Sequence, residues 1–491
     1  MTTNEVDRTR PDVHLRIGAE RLTSGSGGVY GHVDPSTGKV DKEIPLAGAA
    51  EIDQAVKAAH EAFQSWSRTA PSERRRLLMR LADLIDENAT EFARRGTLDN
   101  ATPMTAAAGM AGTSSEWVRY YAGWADKLSG DMTAMSTDTG ELGYTLPQPY
   151  GVIGIIITWN GPLISLAMKI PAALAAGNTV VVKPSEMTPF SGELFADLVE
   201  QAGIPAGVVN ILPGAPEAGA ALVEHPLVQK VTFTGGPETA RKILHACADQ
   251  MKPAVLELGG KSANIVFEDS DLDVVCPHGV FLPVALLSGQ GCAFPTRMLV
   301  QRSIYDEVVA QVTAIAENIT VGDPFDPAVQ SGPVINQAAV DRILGMIERA
   351  EADGARLVTG GVRLTLDGDL AGGYFLEPTV FADVDPYSEL AQTEVFGPVL
   401  SIIPFDTEEE AIAIANATRY GLSAYIQTKD LRRAHRMAEA LVSGEVLING
   451  AANLAVHRPF GGFGLSGFGK EGGRPGIEEF LRVKAVGIAL A

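Results

Sequence analysis

Residues 150–182, YGVIGIIITWNGPLISLAMKIPAALAAGNTVVV, decide the fold. Two apolar runs within them, 152–157 and 179–182, are short and rich in β-branched residues, which is typical of buried strands. A turn at 159–162 separates the first run from a helix-like segment at about 164–176. A strand, a helix and a second strand in this order predict a βαβ unit, and hence a parallel sheet.

The same stretch could span a bilayer by its length alone. The turn in its middle and Lys169 in its second half interrupt the apolar run, so we expect a buried strand and helix and no membrane contact. Residues 1–21 are polar and carry Asp and Glu, unlike a signal peptide. The three cysteines form no pattern of disulfides or zinc ligands, and we expect no metal site. A cytoplasmic protein is therefore expected.

The composition excludes several classes of protein. The 491 residues include 39 Lys and Arg against 60 Asp and Glu, which gives a formal net charge of −21. Nucleic acids and anionic membranes attract clustered cations, so both are disfavoured as partners. Hydrophobic residues make up 46% and charged residues 20%, as in ordinary globular proteins, which disfavours disorder.

Short apolar runs and helix-like segments alternate along most of the chain after residue 150. This pattern predicts an α/β fold of two Rossmann-like lobes in series, each with a largely parallel sheet, and a boundary near Gly259-Gly260. The further predicted strands are 208–212, 231–233, 254–256, 264–267, 298–300, 399–403 and 445–447, and the further predicted helices are 193–202, 238–248, 304–316, 338–353, 407–417 and 430–441.

Two segments fit neither lobe. Residues 126–148 are mostly polar and include an edge-strand pattern at 142–146, and residues 475–491 end in another at 482–491. Exposed strand edges pair readily with a second chain. We therefore predict a small β oligomerisation element in which these strands pair across a subunit interface, in a homodimer or a homotetramer. An edge strand of the same subunit is the alternative.

Cys292 lies in a glycine-containing loop, Ser288-Gly289-Gln290-Gly291-Cys292-Ala293. Glycines let the backbone come close to a ligand and leave the sulfur accessible. A thiolate is a strong nucleophile, so an accessible cysteine can perform covalent catalysis. A lone cysteine is more often a small buried hydrophobe, an interpretation that suits Cys247 and Cys276. On the local sequence alone, both interpretations of Cys292 stay open.

A catalytic cysteine needs a base, and Glu257 is the best candidate. The eight histidines offer no evident partner for a protease or thioesterase pair. Glu257 ends an apolar strand and meets a Gly-Gly turn, so its carboxylate is predicted to be buried. A buried carboxylate is unfavourable unless it is paired or used in chemistry. The alternative is a structural carboxylate that accepts hydrogen bonds from the backbone of the turn.

A G-x-G-x-x-G motif at 462–467 does not predict nucleotide binding. The dinucleotide fingerprint must follow a strand and open a helix within a βαβ unit, with an acidic residue about 20 positions later. The glycine-rich run from 462 to 473 instead predicts a loop. Any nucleotide must be bound elsewhere.

Seven motifs resemble those of the aldehyde dehydrogenase superfamily over nearly the full length. Any one of them is weak, but their shared order and spacing are specific. The resemblance implies a dinucleotide-binding domain at 1–125 and 149–259, a catalytic domain at 260–458, and oligomerisation strands at 126–148 and 475–491. The motifs are Trp159-Asn160, Lys183-Pro184-Ser185-Glu186, Phe233-Thr234-Gly235-Gly236, Glu257-Leu258-Gly259-Gly260-Lys261, Gly289-Gln290-Gly291-Cys292, Glu394-Val395-Phe396-Gly397-Pro398 and Pro459-Phe460-Gly461-Gly462.

The resemblance implies oxidation of an aldehyde to the free acid, with NAD as hydride acceptor. Cys292 would attack the carbonyl carbon to give a thiohemiacetal, whose oxyanion the Asn160 amide and the Cys292 backbone N–H would stabilise. Loss of hydride leaves a thioester, which water activated by Glu257 would hydrolyse. Lys169 and Glu471 match positions that have been proposed to relay protons.

The resemblance also places the cofactor at the carboxyl ends of the first lobe's strands. Lys183 and Glu186 would meet the adenosine ribose, and the Glu186 carboxylate favours NAD, with NADP possible. Glu394 would meet the nicotinamide ribose, and the helix after residue 236 would point its N-terminus at the pyrophosphate. The implied cofactor contacts are Thr158, Trp159, Lys183, Ser185, Glu186, Thr234, Gly235, Gly236, Leu258, Glu394 and Phe396.

Two departures from the family pattern bear on cofactor and substrate. Gly236 stands where serine is usual, so a hydroxyl contact to phosphate is missing. Gly161 stands where many relatives have a bulky aromatic residue, which predicts a roomy substrate funnel for a large hydrophobic aldehyde, aromatic or terpenoid. The other funnel residues implied are apolar: Met168, Phe294, Leu454 and Phe460.

Two alternative functions keep the same residues. Cys292 and Glu257 could serve a cofactor-independent esterase or hydrolase, which would form no NADH from an aldehyde and NAD. A non-catalytic protein of the same fold would keep its role when Cys292 is replaced by alanine.

Overall fold

The computed structural model describes residues 7–136, 140–450 and 454–489. Two large sheets dominate it, one of eight strands and one of seven, and smaller sheets lie beside them. Four stretches of the predicted domains lie outside the described residues: 1–6, 137–139, 451–453 and 490–491.

The strands follow in chain order. In the first half they are β1 (Leu15–Ile17), β2 (Glu20–Leu22), β3 (Val29–Asp34), β4 (Lys39–Pro45), β5 (Met132–Ser136), β6 (Glu141–Pro149), β7 (Val152–Ile156), β8 (Thr179–Lys183), β9 (Val209–Ile211), β10 (Val228–Thr234) and β11 (Ala254–Glu257). In the second half they are β12 (Ala263–Val266), β13 (Arg297–Gln301), β14 (Arg356–Thr359), β15 (Thr379–Ala382), β16 (Val399–Phe405), β17 (Tyr420–Gly421), β18 (Ser423–Gln427), β19 (Glu445–Ile448), β20 (Phe463–Gly464), β21 (Gly467–Phe468) and β22 (Leu481–Ala489).

The α-helices alternate with these strands in both lobes. They are α1 (Ala49–Trp66), α2 (Pro71–Glu87), α3 (Ala89–Asn100), α4 (Met104–Ala122), α5 (Pro162–Ala175), α6 (Phe190–Gln201), α7 (Pro216–Glu224), α8 (Pro237–Asp249), α9 (Leu272–Val280), α10 (Tyr305–Glu317), α11 (Gln337–Ala352), α12 (Glu389–Gln392), α13 (Glu408–Asn416), α14 (Leu431–Ala440) and α15 (Gly473–Glu478).

The first sheet has the order β2-β1-β9-β8-β7-β10-β11-β21. Strands β7 to β11 are parallel, and β1 and β21 flank them as antiparallel strands. β7, α5 and β8 form the predicted βαβ unit, and both strands are buried at every residue because helices cover the sheet. The strand order reverses between β7 and β10, and open α/β sheets bind ligands at the carboxyl ends beside such a reversal.

The second sheet has the order β14-β15-β16-β13-β12-β18-β19, parallel except for β14. Its apolar faces are packed by helices such as α10 and α11. The predicted α/β fold with two lobes in series is confirmed, and the boundary near residue 259 falls between β11 of one sheet and β12 of the other. The assignment of functions to the domain ranges stays a prediction.

The prediction for the two extra segments needs a correction. β22 pairs with β6 of the same chain over nine residues, from Leu481 opposite Pro149 to Ala489 opposite Glu141, and β5 pairs with the other edge of β6. These strands therefore pair with each other within one chain, as in the alternative, and pairing through their outer edges across a subunit interface stays a prediction. The continuous antiparallel register with β22 satisfies the backbone groups on one side of β6, and β5 pairs on the other side only from Glu141 to Tyr144. The outer edges of the three-stranded sheet belong to β5 and β22.

One helical stretch, Leu272–Gly289, is long and apolar enough to cross a membrane, and 56% of it is buried in the protein. It is not one regular helix. α9 is followed by a π-helical turn at Phe281–Ala285 and a 3₁₀ turn at Leu286–Gly289, in which Leu287 has a left-handed φ of 51°. Core helices commonly pass a test of length and composition, so this stretch is weak evidence of a membrane span.

Candidate active site

The carboxyl ends of the first sheet's strands meet the loops that lead into β12, β13 and β16. Asn160, which follows β7, donates through Nδ2 to the Gln290 carbonyl at 2.9 Å. The Gly260 N–H, which follows β11, donates to Glu394 Oε1 at 3.0 Å. The crevice between the two lobes lies at the carboxyl ends of β7 and β10, where the strand order reverses. These contacts place Cys292, two residues after Gln290, in that crevice.

Cys292 is half-buried and packs against the apolar core of the first lobe. Burial, followed by the charges of Glu394 and Glu257, raises the pKa of its thiol to about 12. The two carboxylates must lie close to the sulfur to act on it in this way. A Cβ on Gly260 would collide with the Cys292 carbonyl oxygen, so the Gly-Gly turn packs directly against the nucleophile loop. A thiol with a raised pKa keeps its proton at neutral pH, and only the deprotonated thiolate is a strong nucleophile.

The loop that carries Cys292 is fixed by its own side chains. The Gln290 amide accepts the Ile335 N–H at 3.0 Å and donates to the Leu287 carbonyl at 3.0 Å. The Ser288 hydroxyl donates to the Gly332 carbonyl at 2.7 Å. Ser288 has a φ of 52°, a left-handed conformation that is uncommon outside glycine. Such conformations concentrate at functional sites, where the surrounding contacts over-determine the backbone.

Glu257 is 4% exposed, and neither of its carboxylate oxygens has a hydrogen-bond partner among the described residues. Burial, followed by the charge of Glu471, raises its pKa well above 4.5, while Lys169 and Lys470 oppose the shift. The alternative of a structural carboxylate satisfied by the turn is wrong, because the turn's Gly260 N–H goes to Glu394. A buried, unpaired carboxylate beside a thiol is the pattern of a catalytic base.

Lys169 and Glu471 form a buried ion pair beside Glu257. Lys169 Nζ donates to Glu471 Oε1 and, at 3.2 Å, to the Thr232 hydroxyl. The two side chains are 1% and 6% exposed. The charges of this pair have opposite effects on the pKa of Glu257, so the structure brings both predicted residues to the candidate base.

Asn100 holds the segment that carries Asn160, and sequence reasoning missed it. Its Nδ2 donates to the Trp159 carbonyl at 2.9 Å and to the Asn160 carbonyl at 3.4 Å. Its Oδ1 accepts the Thr102 hydroxyl at 2.7 Å, which fixes the orientation of the amide. Asn100 ends α3 and lies 59 positions before Trp159 in the sequence, so no local pattern could have indicated the contact.

Lys183 and Glu186 lie at the carboxyl end of β8, as predicted. Lys183 is buried, and its Nζ donates to the Pro184 carbonyl at 3.0 Å and the Gly214 carbonyl at 2.6 Å. The Glu186 carboxylate is 3.7 Å from this nitrogen. Burial lowers the pKa of Lys183, and the Glu186 charge opposes that shift. The ammonium is thus largely engaged with backbone carbonyls.

Thr234 ends β10, and Gly235 and Gly236 lead into α8. The Gly235 N–H donates to the Glu257 carbonyl at 3.1 Å, and a Cβ on Gly235 would collide with the Phe233 ring. Gly236 is the exposed N-cap of α8, and a Cβ there would meet nothing within 4 Å. The first turn of α8 therefore faces open space, where backbone N–H groups can receive an anion.

Glu394 and Phe396 bring the second lobe to the crevice. Burial raises the pKa of Glu394 to about 7, while its hydrogen bond from Gly260 lowers it. A Cβ on Gly259 would collide with the Glu394 carboxylate, so glycine is required for this approach. Phe396 has a φ of 48° and stands edge-on to Trp159, with 5.4 Å between ring centroids. The other predicted cofactor residues at this edge of the first sheet are Thr158, Ser185 and Leu258.

Three of the predicted funnel residues belong to, or pack against, the same apolar cluster of the first lobe as Cys292. Met168 and Phe460 are buried in the apolar cluster against which Cys292 and Leu454 also pack. Phe294 is 9% exposed, and its ring occupies the space that a side chain at Gly291 would need. A Cβ on Gly161 would lie 2.9 Å from Ile164 Cγ2, so Ile164 takes part of the space that a larger residue at 161 would fill.

The described residues contain no group of three or more His, Cys, Asp and Glu side chains that could hold a metal ion. The crevice brings together the thiol of Cys292, the carboxylate of Glu257 and the amide of Asn160. Together with the crevice between two α/β lobes, these groups define a class of enzyme that acts through a cysteine nucleophile beside a nucleotide-binding sheet.

Comparison with known proteins agrees with this class. The sequence model of the aldehyde dehydrogenase family matches residues 23–486. The chain is 42% identical to the aldehyde dehydrogenase of Enchytraeus buchholzi over 476 residues, 96% of this chain and 94% of that one. It is 42% identical to the mitochondrial aldehyde dehydrogenase of Mesocricetus auratus over 463 residues, 93% and 91% of the two chains. A Bacillus cereus aldehyde dehydrogenase, solved as its NAD⁺ complex, superposes with a TM-score of 0.94 at 38% identity, covering 98% and 97%.

The chain belongs to the aldehyde dehydrogenase family. The resemblance found in the seven motifs is thereby confirmed, and so is the conclusion that the chain is an enzyme of the oxidoreductase class. The roles of individual residues stay predictions.

Replacing Asn100 by alanine is expected to lower kcat roughly 10-fold to 100-fold, because loss of its two donated hydrogen bonds frees the segment that positions Asn160. Steady-state kinetics at saturating cofactor and aldehyde measure kcat. Asn88→Ala is the matched control, because the Asn88 amide also donates to a backbone carbonyl, that of Leu84, at the end of a helix. An unchanged kcat in N100A, or an equal loss in N88A, would contradict the positioning role.

Proposed function

We propose that the chain oxidises a bulky hydrophobic aldehyde to the carboxylic acid with NAD as hydride acceptor. The observation that carries this proposal is the convergence of Cys292, Asn160 and the unpaired Glu257 at the carboxyl edge of the first sheet. Of these, Asn160 is linked to the nucleophile loop by a measured hydrogen bond, and Glu257 acts on the pKa of Cys292.

Cys292 is the nucleophile in this proposal. Because its thiol is protonated at rest, the proton must pass to a nearby base. Glu257 and Glu394 are both buried carboxylates within electrostatic reach of the sulfur. Glu257 is the base in this proposal, because its oxygens have no hydrogen-bond partner among the described residues, whereas Glu394 accepts the Gly260 N–H. The sulfur then adds to the aldehyde carbonyl carbon, and the carbonyl oxygen takes up negative charge. The Asn160 amide is available to donate to that oxygen, a contribution of about 3–4 kcal/mol for one such group.

Glu257 is also the base for the second half of the reaction. After hydride leaves the carbon, the acyl group is held on Cys292 as a thioester. Glu257 accepts a proton from water, the resulting hydroxide attacks the thioester, and the thiolate leaves as the free acid forms. The Lys169–Glu471 pair lies beside Glu257. Burial is the largest cause of the raised pKa of Glu257, and the two charges of the pair shift it in opposite directions.

The residues at the crevice fit a dinucleotide. The first turn of α8 offers N–H groups to a pyrophosphate, and the open space at Gly236 leaves room for it. Glu186 and Glu394 offer carboxylates to two ribose rings, and Phe396 and Trp159 offer an apolar wall. When bound, NAD supplies the hydride acceptor for the thiohemiacetal carbon. The NAD⁺ complex of the Bacillus cereus relative supports this assignment.

The experiment that tests the function is a spectroscopic assay of the full chain with NAD and two aldehydes, one bulky and aromatic or terpenoid, the other acetaldehyde. NADH should form, and kcat/KM should be higher for the bulky aldehyde. The apolar funnel of Met168, Phe294, Leu454 and Phe460 supports that preference. A preference for acetaldehyde would overturn the substrate class. Ester cleavage with no NADH from any aldehyde would favour the cofactor-independent hydrolase.

Replacing Glu186 by glutamine is expected to raise the ratio of kcat/KM with NADP to that with NAD by at least roughly tenfold. The carboxylate repels a 2′-phosphate, and like charges in contact cost several kcal/mol. Glu61→Gln, on the exposed face of α1, is the matched control and should leave the ratio unchanged. A ratio that does not move in E186Q would place the 2′-hydroxyl away from Glu186.

We also propose that the three-stranded sheet joins copies of the chain in a homodimer or homotetramer. Its outer edges, in β5 and β22, are open to a further strand, and Val483 and Ile488 of β22 are 70% and 42% exposed. Exposed apolar side chains at an unpaired edge favour association. Light scattering of the full chain measures the mass, and a monomer at micromolar concentration would contradict the proposal.

A further inference from the structure

Tyr425 is a buried tyrosine of the second lobe whose hydroxyl reaches the loop that carries Cys292. It lies on β18 and is 2% exposed. Its hydroxyl donates to the Ala293 carbonyl at 2.9 Å, and the two residues are 132 positions apart in the sequence. Ala293 directly follows Cys292, so this hydrogen bond ends on the residue next to the nucleophile.

β18 gives the Tyr425 hydroxyl a rigid base. It is an interior strand of the second sheet, paired with β12 on one side and with β19 on the other. Tyr425 lies opposite Asn264 and Leu447 in these two registers, so its backbone is held at both edges. Side chains on such strands are positioned more precisely than side chains on loops. The phenol can therefore fix the position of Ala293.

The hydrogen bond fixes one peptide group of the loop. The Ala293 carbonyl belongs to the peptide that joins Ala293 to Phe294, and the N–H of this peptide donates to the Gly291 carbonyl at 3.2 Å. Both polar groups of the peptide are thus engaged. The loss of a donor to a part-buried carbonyl is unfavourable, so without the hydroxyl this peptide would turn towards another partner.

The backbone of Ala293 also acts on the sulfur. Burial and two nearby carboxylates raise the pKa of the Cys292 thiol, while the backbone N–H groups of Ala293 and Cys292 lower it. Hydrogen bonds to the ionised form of a group favour that form. A shift of Ala293 would therefore reduce the fraction of Cys292 that is present as the reactive thiolate.

The phenol stays protonated and remains a donor. Burial, followed by the charges of Glu445 and Cys292, raises the pKa of Tyr425. The charge of the Cys292 sulfur can act on the phenol only if the two side chains lie near each other.

We propose that Tyr425 is a positioning residue for the reaction of Cys292: its hydroxyl holds the Ala293 carbonyl, so that the Ala293 N–H stays directed at the sulfur and stabilises the thiolate. This inference rests on the proposed role of Cys292 as the nucleophile. Tyr425 acts through the backbone of the loop and has no contact with the reacting carbon in this proposal.

Labelling of the cysteines with iodoacetamide tests the proposal without any substrate. At pH 8, the rate of Cys292 labelling should fall about 3-fold to 10-fold in Tyr425→Phe, because a weaker N–H contact lowers the thiolate fraction. Cys247 and Cys276, followed by mass spectrometry in the same sample, should keep their rates. A Cys292 rate that is unchanged or higher in Y425F would overturn the proposal. A parallel change at all three cysteines would also overturn it, because it would indicate a loosened fold.

Turnover gives the second test. We expect kcat at saturating aldehyde and NAD to fall about 5-fold to 30-fold in Y425F, because the nucleophile is less well positioned and less ionised. Tyr305→Phe is the matched control, since the Tyr305 hydroxyl is also buried in the second lobe and accepts the Asp383 N–H at 2.7 Å. Its kcat and its rate of Cys292 labelling should match those of the wild type.

An unchanged kcat in Y425F, or an equal loss in Y305F, would overturn the positioning role. Failure of the proposed function has a different signature, which is turnover retained by Cys292→Ala. The labelling rates report on the contact between Tyr425 and the loop whether or not an aldehyde is oxidised.

Discussion

Replacing Cys292 by alanine is expected to abolish aldehyde oxidation, with a loss of at least about 10⁴-fold in kcat. No other group in the crevice can form the covalent bond to the carbonyl carbon, and removal of a nucleophile typically leaves only what binding and oxyanion stabilisation contribute. NADH formation at saturating aldehyde and NAD measures the loss.

The other two cysteines are the matched controls for this variant. Cys247 and Cys276 are buried, 2% and 0% exposed, and pack in apolar clusters of the two lobes. Cys247→Ala and Cys276→Ala should keep their turnover per folded molecule, although each loses some stability to a cavity. Measurable turnover in C292A would show that another residue is the nucleophile. It would favour the alternative in which the Cys292 sulfur has no catalytic role.

Replacing Glu257 by glutamine is expected to lower kcat about 10²-fold to 10⁴-fold, the usual contribution of a general base. The wild-type rate should rise with pH, because the raised pKa of Glu257 keeps the carboxyl protonated, and inactive as a base, until the pH exceeds that pKa. The slow rate of E257Q should lack this rise. Rates between pH 5 and pH 9 measure both effects. Glu348→Gln, on the exposed side of α11, should follow the wild-type profile.

The same substitution should not destabilise the protein. A carboxyl whose pKa is raised on folding binds more protons in the folded state, so it lowers the free energy of unfolding as the pH rises above 4.5 towards the raised value. E257Q removes this effect, so its unfolding midpoint should equal or exceed that of the wild type, with a difference that grows with pH in this window. A large loss of stability in E257Q would show that the carboxylate has a structural partner.

Much of the fold was predictable because its strands are short apolar runs with clear boundaries. The prediction of a strand at 152–157 agrees with β7 within one residue, and that at 399–403 lies within β16. The pairing of β6 with β22 was not predictable, since an edge-strand pattern does not say which edge it will meet. Likewise, the glycine-rich run at 462–473 predicts a loop, yet it contains β20 and β21, which pair with strands distant in the sequence.

The candidate site was predictable where a reactive side chain stands in an unusual local sequence. A cysteine preceded by two glycines and a glutamate at the end of an apolar strand are both visible in the sequence, and the structure brings them together. The hydrogen bonds from Asn100 to the segment that carries Asn160 could not be predicted from the sequence. Asn100 lies at the end of α3, far from Asn160 along the chain. The roomy funnel predicted from Gly161 stays a prediction, and the sequence could not show that Ile164 occupies part of the space next to residue 161.

β21 has a consequence for how the enzyme matures. It pairs with β11 at Leu256 and Glu257, and the Leu258 N–H donates to the Ser466 carbonyl at 3.1 Å. The strand that presents the base is thus completed by residues that are translated long after it. In a nascent chain that does not yet include residue 467, β11 would be an unpaired edge strand. The position of Glu257 would then not be fixed by β21. Activity should therefore arise late in synthesis, and a chaperone that shields this edge strand would favour the yield of active enzyme.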